Sequence, residues 1–264
     1  MLPFTKPEPI DARGFRICAV PPLQPLRWLA RGWADLMRCP LPGLQHGAAA
    51  AAFGALLLAL ARDRFWLLAG SFSGFLLVAP LVATGLYEVS RTLQRGRRAT
   101  LGTALSVWKP RDHRLVLFGV LLALAGTGWV LTSASLITGF APRPVASPAD
   151  FLHVVVLNEQ SPLFEIWLLL GSVLAAPMFM SSVVAIPMLL DRPHGVVTAV
   201  ATSVRAALVS PVAMALWATL ILLLTLLGMA TLMLGLVVVV PWLAHASWHA
   251  YIDVVQPATA DGKR

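Results

Sequence analysis

Apolar residues run for about twenty positions at a time along most of this chain. Six such runs stand out: Gly43–Ala61, Phe65–Tyr87, Leu115–Thr138, Leu163–Leu190, Val212–Leu227 and Met229–Ser247. About 20 apolar residues with few charges is the length of a membrane-spanning helix, and the fourth run is long enough to tilt. From Val212 to Ala244 there is no charged residue. A single helix there would measure roughly 50 Å against a hydrocarbon core of about 30 Å, so two helices are expected, with the turn at Gly228 buried among other helices. The runs pair into hairpins, and the second helix of each hairpin carries a Gly, five residues and a Pro: Gly74-FLLVA-Pro80, Gly171-SVLAA-Pro177 and Gly235-LVVVV-Pro241. Such a repeat sets the architecture. The expected fold is all-α, a six-helix polytopic membrane protein built from three helical-hairpin repeats. The Pro should kink each helix, and the Gly should let a neighbouring helix come close.

Each hairpin follows a more polar segment that ends in Pro: Pro40, Pro110 and Pro211. In the first, Leu26, Leu29, Trp33, Leu36 and Met37 recur at helical spacing among Arg27, Arg31, Asp35 and Arg38. That pattern predicts an amphipathic helix at the membrane surface, with Trp28 and Trp33 at headgroup depth. Leu101–Lys109 and Val196–Ser210 are its counterparts. Residues 1–22 are Pro-rich and aperiodic and read as a flexible N-terminal arm. Residues 23–256 form one membrane domain, with repeats at about 26–90, 100–192 and 196–252, and 257–264 form a tail. The loop Gly139–Pro162 is the one long connection, and its apolar middle around Phe151 predicts a short surface helix.

Composition and charge then fix the side. The chain has 264 residues, 58% hydrophobic and 12% charged, about half the charge of a soluble domain. With six spans, 17 of the 20 Lys and Arg fall on the side of both termini; Arg62, Arg64 and Arg143 fall opposite. Cationic residues stay on the cytoplasmic side, so both termini are expected there. The net charge of +8 is thus a topology signal rather than a nucleic-acid footprint. Arg91, Arg95, Arg97 and Arg98 form a basic stretch suited to anionic lipid headgroups. Cys18 and Cys39 share that reducing side, where thiols stay free.

Chemistry-bearing residues are sparse. No Asp, Glu, Lys or Arg falls in the middle of a span, where a coupled transporter would need one. No phosphate loop, activated Ser or HExxH motif occurs, so no catalytic residues are assigned and no cofactor is expected. One constellation remains. His245 and His249 lie one turn apart at the inner end of the sixth helix. The repeat aligns His249 with Glu88, and His46 starts the first helix at the same level. His46, Glu88, His245 and His249 have the types needed for a metal site, or the histidines for axial haem ligation. The alternative is interfacial anchoring of amphipathic rings.

The stretches LRWLARGWADLMRCPLPGL (26–44), SSVVAIPMLLDRPHGVVTAVATSVRAALVSPVAMALWATLI (181–221) and LAHASWHAYIDVV (243–255) resemble a bacterial membrane family catalogued as domain of unknown function 2189. The resemblance runs over roughly residues 20–256 and implies a multi-pass inner-membrane protein without an assigned activity. Three readings of function follow. The first is a non-enzymatic accessory or scaffold protein that packs against another membrane complex or lipid through small-residue faces such as Gly70, Ser73, Gly74 and Ala79. The second is a carrier or channel for a small or lipid-like solute, lined by residues such as Thr84, Ser172, Ser181 and Ser182. The third is a metal- or haem-binding protein using the inner-face histidines.

Overall fold

The computed structural model of the chain describes residues 14–61, 83–108 and 113–257. It is all-α apart from one small ribbon. The helices are α1 (Gln24–Arg38), α2 (Pro40–Ala61), α3 (Thr84–Gln94), α4 (Leu101–Leu105), α5 (His113–Phe140), α6 (Pro148–Phe151), α7 (Leu163–Ser182), α8 (Ala185–Asp191), α9 (Val196–Val209), α10 (Pro211–Ala230) and α11 (Leu236–Val254). The strands β1 (Phe15–Ile17) and β2 (Val255–Pro257) pair antiparallel, with Phe15 opposite Pro257.

The Pro-led entry into a helix is present where it is described. Pro40 opens α2 and Pro211 opens α10, positions where the missing amide hydrogen costs nothing. The segments ahead of them are helical, as α1 and α9. Three helices among the described residues are long and apolar enough to cross a membrane: α5, the α7–α8 pair (Leu163–Asp191) and α10. They expose apolar side chains broadly, including Leu117, Leu124 and Leu131 on α5, Leu169 and Val173 on α7, and Leu223 and Leu227 on α10. A soluble protein would bury such a face; here it is the surface that a bilayer covers. The expected first span lies within α2, and most of the second lies outside the described residues.

The Gly–Pro copies take different forms. Pro177 lies inside α7, which ends at Ser182; the chain then turns before α8, and the Val184 amide donates to Ser203 Oγ of α9 at 3.0 Å. Pro241 lies inside α11, which runs on unbroken to Val254. Gly171 lies beneath the Trp129 ring, where a Cβ would come within 3.0 Å. Gly235 is instead the residue that starts α11, packed 2.8 Å from Gly228 by the same measure. Gly74 and Pro80 lie outside the described residues.

The turn expected at Gly228 is displaced. α10 continues to Ala230, and the reversal uses Thr231–Gly235. Gly228 serves as a contact surface for Gly235 and Leu236, so it cannot also open the turn. Thr231 organises the reversal: its Oγ1 donates to the Gly228 carbonyl at 2.9 Å and accepts from the Gly235 amide at 2.7 Å. Leu232 and Met233 sit at φ 53° and 70°, a left-handed conformation costly for residues with a Cβ. Leu232 and Leu234 are exposed, so the turn is an apolar knuckle and not a buried one.

The long loop folds onto the ends of α5 and α7. Ser147 and Asp150 cap α6 reciprocally, and the chain continues as a π turn over Leu152–Val156. Val154 and Val155 bury against Ile137, Val145 and Leu163, which explains the apolar middle read from the sequence.

At the opposite end, α11 is the hub, packed against α1, α2, α3, α8 and α10. The arm expected to be flexible is tied down from Phe15 onward. Phe15 is buried, the Cys18 amide donates to the Val254 carbonyl at 2.8 Å, and the Val20 amide donates to Ser210 Oγ at 3.0 Å. Cys18 and Cys39 are free thiols. Trp28 is fully buried rather than at headgroup depth. Its indole stands edge-on to Trp217 and donates to Asp253 Oδ2 at 2.8 Å.

Asp253 draws α1 onto the end of α11. It accepts from Gln24 at 2.7 Å, from Trp28, and from both terminal nitrogens of Arg31. Burial alone would raise its carboxyl, but the hydrogen bonds from Arg31, Gln24 and Trp28 outweigh it and hold the group below its ordinary 3.8. A depressed carboxylate stabilises the fold above its unfolded value, and that contribution disappears as pH falls through the folded value. Thermal unfolding in detergent should therefore show stability falling below about pH 3.8. Asp253→Asn should lower stability at pH 7 and flatten that acid limb; an unchanged acid limb would remove Asp253 from its cause.

Candidate functional site

The chain has one buried polar network among its described residues that joins three helices, and it centres on α11. Amphipathic α1 turns Trp28, Leu29, Gly32, Asp35 and Leu36 inward. A Cβ on Gly32 would lie 2.6 Å from the Ala246 amide nitrogen, so the two backbones touch and Asp35 arrives beside the histidines. α3 adds Ser90, which is fully buried.

Ser90 Oγ donates to Asp35 Oδ2 at 2.7 Å. His249 Nε2 lies 2.8 Å from the same oxygen, and His245 Nδ1 lies 2.7 Å from Ser90 Oγ. Burial alone would raise the Asp35 carboxyl. The hydrogen bonds from His249 and Ser90 prevail and hold it below its ordinary value, so it is ionised at neutral pH. An ionised carboxylate only accepts. Hence His249 Nε2 carries a hydrogen, and the single Ser90 proton goes to Asp35. Ser90 Oγ must then accept from His245 Nδ1–H. That fixes both tautomers, and two ring atoms remain buried without a partner: His245 Nε2 and His249 Nδ1.

His46 stands on α2, and its Nδ1 lies 2.8 Å from the Pro42 carbonyl. A carbonyl only accepts, so this nitrogen bears a hydrogen. Glu88 takes a different role. It accepts from Arg91 at 3.1 Å, Arg91 lies 3.1 Å from Asp191, and Asp191 accepts from the Tyr251 hydroxyl at 2.8 Å while Arg192 donates to that hydroxyl at 2.9 Å. The four residues read from the sequence therefore do not form one shell. His46 faces the Pro42 carbonyl, His245 faces Ser90, His249 faces Asp35, and Glu88 belongs to an ion network. Among the described residues no group of three or more His, Cys, Asp or Glu is gathered as for a metal ion.

Arg91 is likewise occupied by Glu88 and Asp191, whereas Arg95, Arg97 and Arg98 are exposed. Asp191 pairs with Arg91 at 3.1 Å and with Arg192 at 3.8 Å. Arg114 of α5 donates to the carbonyls of Leu189, Arg192 and His194, satisfying the open end of α8.

Residues 67–191 match the model of a family described as predicted integral membrane protein (DUF2189). The match is just under half of the chain, and the resemblance to this family read from the sequence holds on that segment. The DUF2189 segment covers α3 to α8. Of the three stretches that suggested the family, only 181–191 lies inside it, and Ser90 is the one member of the Asp35–Ser90–His245–His249 network that it contains. No curated protein and no solved structure matches the chain.

Proposed function

We propose that this integral membrane protein is a non-enzymatic accessory or scaffold protein of the bacterial inner membrane, with six spans in three hairpins and both termini in the cytoplasm. The observation that carries the reading is the disposition of hydroxyls on the long helices. Thr127, Thr132, Ser172 and Thr219 each donate to the carbonyl four residues back in their own helix, at 2.8–2.9 Å. Ser181 and Ser182 likewise donate to the Met178 carbonyl, three and four residues back. A hydroxyl so engaged satisfies itself within an apolar surface and offers little to a passing solute. A carrier would instead aim such groups into a shared polar path. The outward faces of α5, α7 and α10 are left apolar, suited to lipid or to a neighbouring membrane helix.

The distribution of Lys and Arg supports the orientation, and the exposed Arg95, Arg97 and Arg98 fit anionic headgroups on that side. The full-length protein, purified in mild detergent, is expected to carry a reproducible partner protein or anionic lipid by mass spectrometry. Its thermal stability should not respond to a panel of small solutes. A solute that raises the melting temperature in a concentration-dependent way would favour the carrier reading instead.

A further inference from the structure

The reversal between α10 and α11 has three properties that suit hydrocarbon better than water, and they go beyond the scaffold reading. Its tip is apolar: Leu232 and Leu234 are 81% and 72% exposed, and the exposed stripe continues along α10 through Leu227, Leu226, Leu223 and Leu222. Its backbone pairs with itself. The amides of Met233, Leu234, Leu236 and Val237 donate to the carbonyls of Met229, Thr231, Met233 and Leu234 at 3.0–3.2 Å, and the Gly235 amide donates to Thr231 Oγ1. Within lipid, backbone groups must find such partners inside the chain. Finally, the left-handed positions hold Leu232 and Met233, where a turn facing water ordinarily uses Gly, Asn or Asp.

The depth of the tip follows from its neighbours. α2 runs 22 residues from Pro40 to Ala61, about 33 Å, and Arg62 follows in sequence. Met233 packs well inside that length: a Cβ on Gly54 would lie 3.3 Å from Met233 Sδ. Seven residues of α2 lie beyond Gly54, so the knuckle stops about 10 Å short of the helix end. α11 agrees from the other side. Its apolar part is the nine residues Leu236–Ala244 before His245, about 14 Å. α11 is not among the described helices long and apolar enough to cross a membrane, and so short an apolar stretch suits a core, interfacial or re-entrant segment.

We propose that α10 and α11 form a re-entrant hairpin whose exposed Leu232 and Leu234 sit among the acyl chains of the leaflet farther from the termini. Both helices then enter and leave on the side of the termini. The partner of the knuckle is lipid, because the knuckle is continuous with the bilayer-covered face of α10. This rests on the membrane reading above and changes its third hairpin alone, from two crossings to none; the termini stay on one side.

Spin labels on Leu232→Cys and Leu234→Cys, each with Cys18→Ser and Cys39→Ser, test this in vesicles of phosphatidylcholine and phosphatidylglycerol. Both labels should be relaxed by oxygen as strongly as one on Leu124→Cys, an exposed position on the lipid face of α5. Both should lose the nickel-chelate relaxation seen on Gln160→Cys in the exposed loop before α7. Nickel access at the Gln160→Cys level would place the knuckle in water, and access to neither reagent would place it against protein; either result overturns the proposal. Hydrogen exchange of the wild type in the same vesicles needs no substitution. Amides 231–235 should stay protected while those of 157–160 exchange, and full exchange at 231–235 would overturn the proposal. An impermeant maleimide applied to intact cells checks the orientation separately. If Gln160→Cys reacts only after lysis, the sides are reversed, and the spin labels still decide the depth of the knuckle.

Discussion

Asp35→Ala is expected to destabilise the protein by about 3 kcal/mol, since it leaves two buried hydrogen-bond donors without an acceptor at about 1–3 kcal/mol each. Asp35 is 5% exposed and joins Ser90 of α3 to His249 of α11. Ala leaves the Ser90 hydroxyl and the His249 Nε2–H in an apolar interior with no acceptor, and it also leaves a cavity between α1 and α11. Asn should cost less, because its amide oxygen can accept one of the two hydrogen bonds, but it cannot supply the charge. The alternative is that Asp35 merely fills space. A double-mutant cycle separates the two: Asp35→Ala combined with His249→Ala should cost clearly less than the sum of the single changes. Denaturant titration in mixed micelles measures all three. A cost for Asp35→Ala under about 1 kcal/mol, or strict additivity, would mean the carboxylate does not hold this junction.

Much of the fold is written in the periodicity. The 20-residue apolar runs, the helices ahead of Pro40 and Pro211 and the short helix at Phe151 all depend on local signals, namely hydropathy, proline's missing donor and capping residues. The site was half legible. His245 and His249 stand out because two histidines four apart interrupt an apolar helix. Asp35 does not, because an acid on an amphipathic helix looks the same in sequence whether it meets water or a histidine on another helix. The usable signal was Gly32, three residues before Asp35: a glycine in a surface helix marks close backbone approach, which would have turned that face inward. Ser90 had no signal, being one small polar residue near a helix end. Glu88 was chosen by aligning repeats, and Arg91 three residues on claims it. Trp28 misled for a related reason. A Trp beside arginines fits the headgroup layer, yet here its indole is paired with Asp253, a contact 225 positions away. Partners this distant are set by packing and leave no trace in local pattern.

Gly47→Val is expected to be the most disruptive single change in the apolar part of the chain. Gly47 faces the backbone of Val237 where α2 crosses α11, and a Cβ there would lie 2.6 Å from the Val237 carbonyl carbon and 2.7 Å from its Cα. Real Cβ atoms essentially never approach backbone so closely, and backbone cannot rotate aside as a side chain can. α2 and α11 would have to separate, which also opens the Ala51–Met233–Leu236 cluster. In lipid the separated helices gain nothing by burying apolar surface again, since association there depends on close packing. The expected cost is about 3 kcal/mol or more, at the upper end for overpacked cores, with poor accumulation in the membrane as a second readout. Gly128 in α5 supplies the contrast, because nothing lies within 4 Å of a Cβ built there. Gly128→Ala should be neutral or stabilise by up to about 1 kcal/mol, the helix-propensity difference between the two residues. If both variants unfold alike, glycine content and not close approach governs these helices; a normal melting temperature for Gly47→Val would mean that α2 and α11 do not cross at this point.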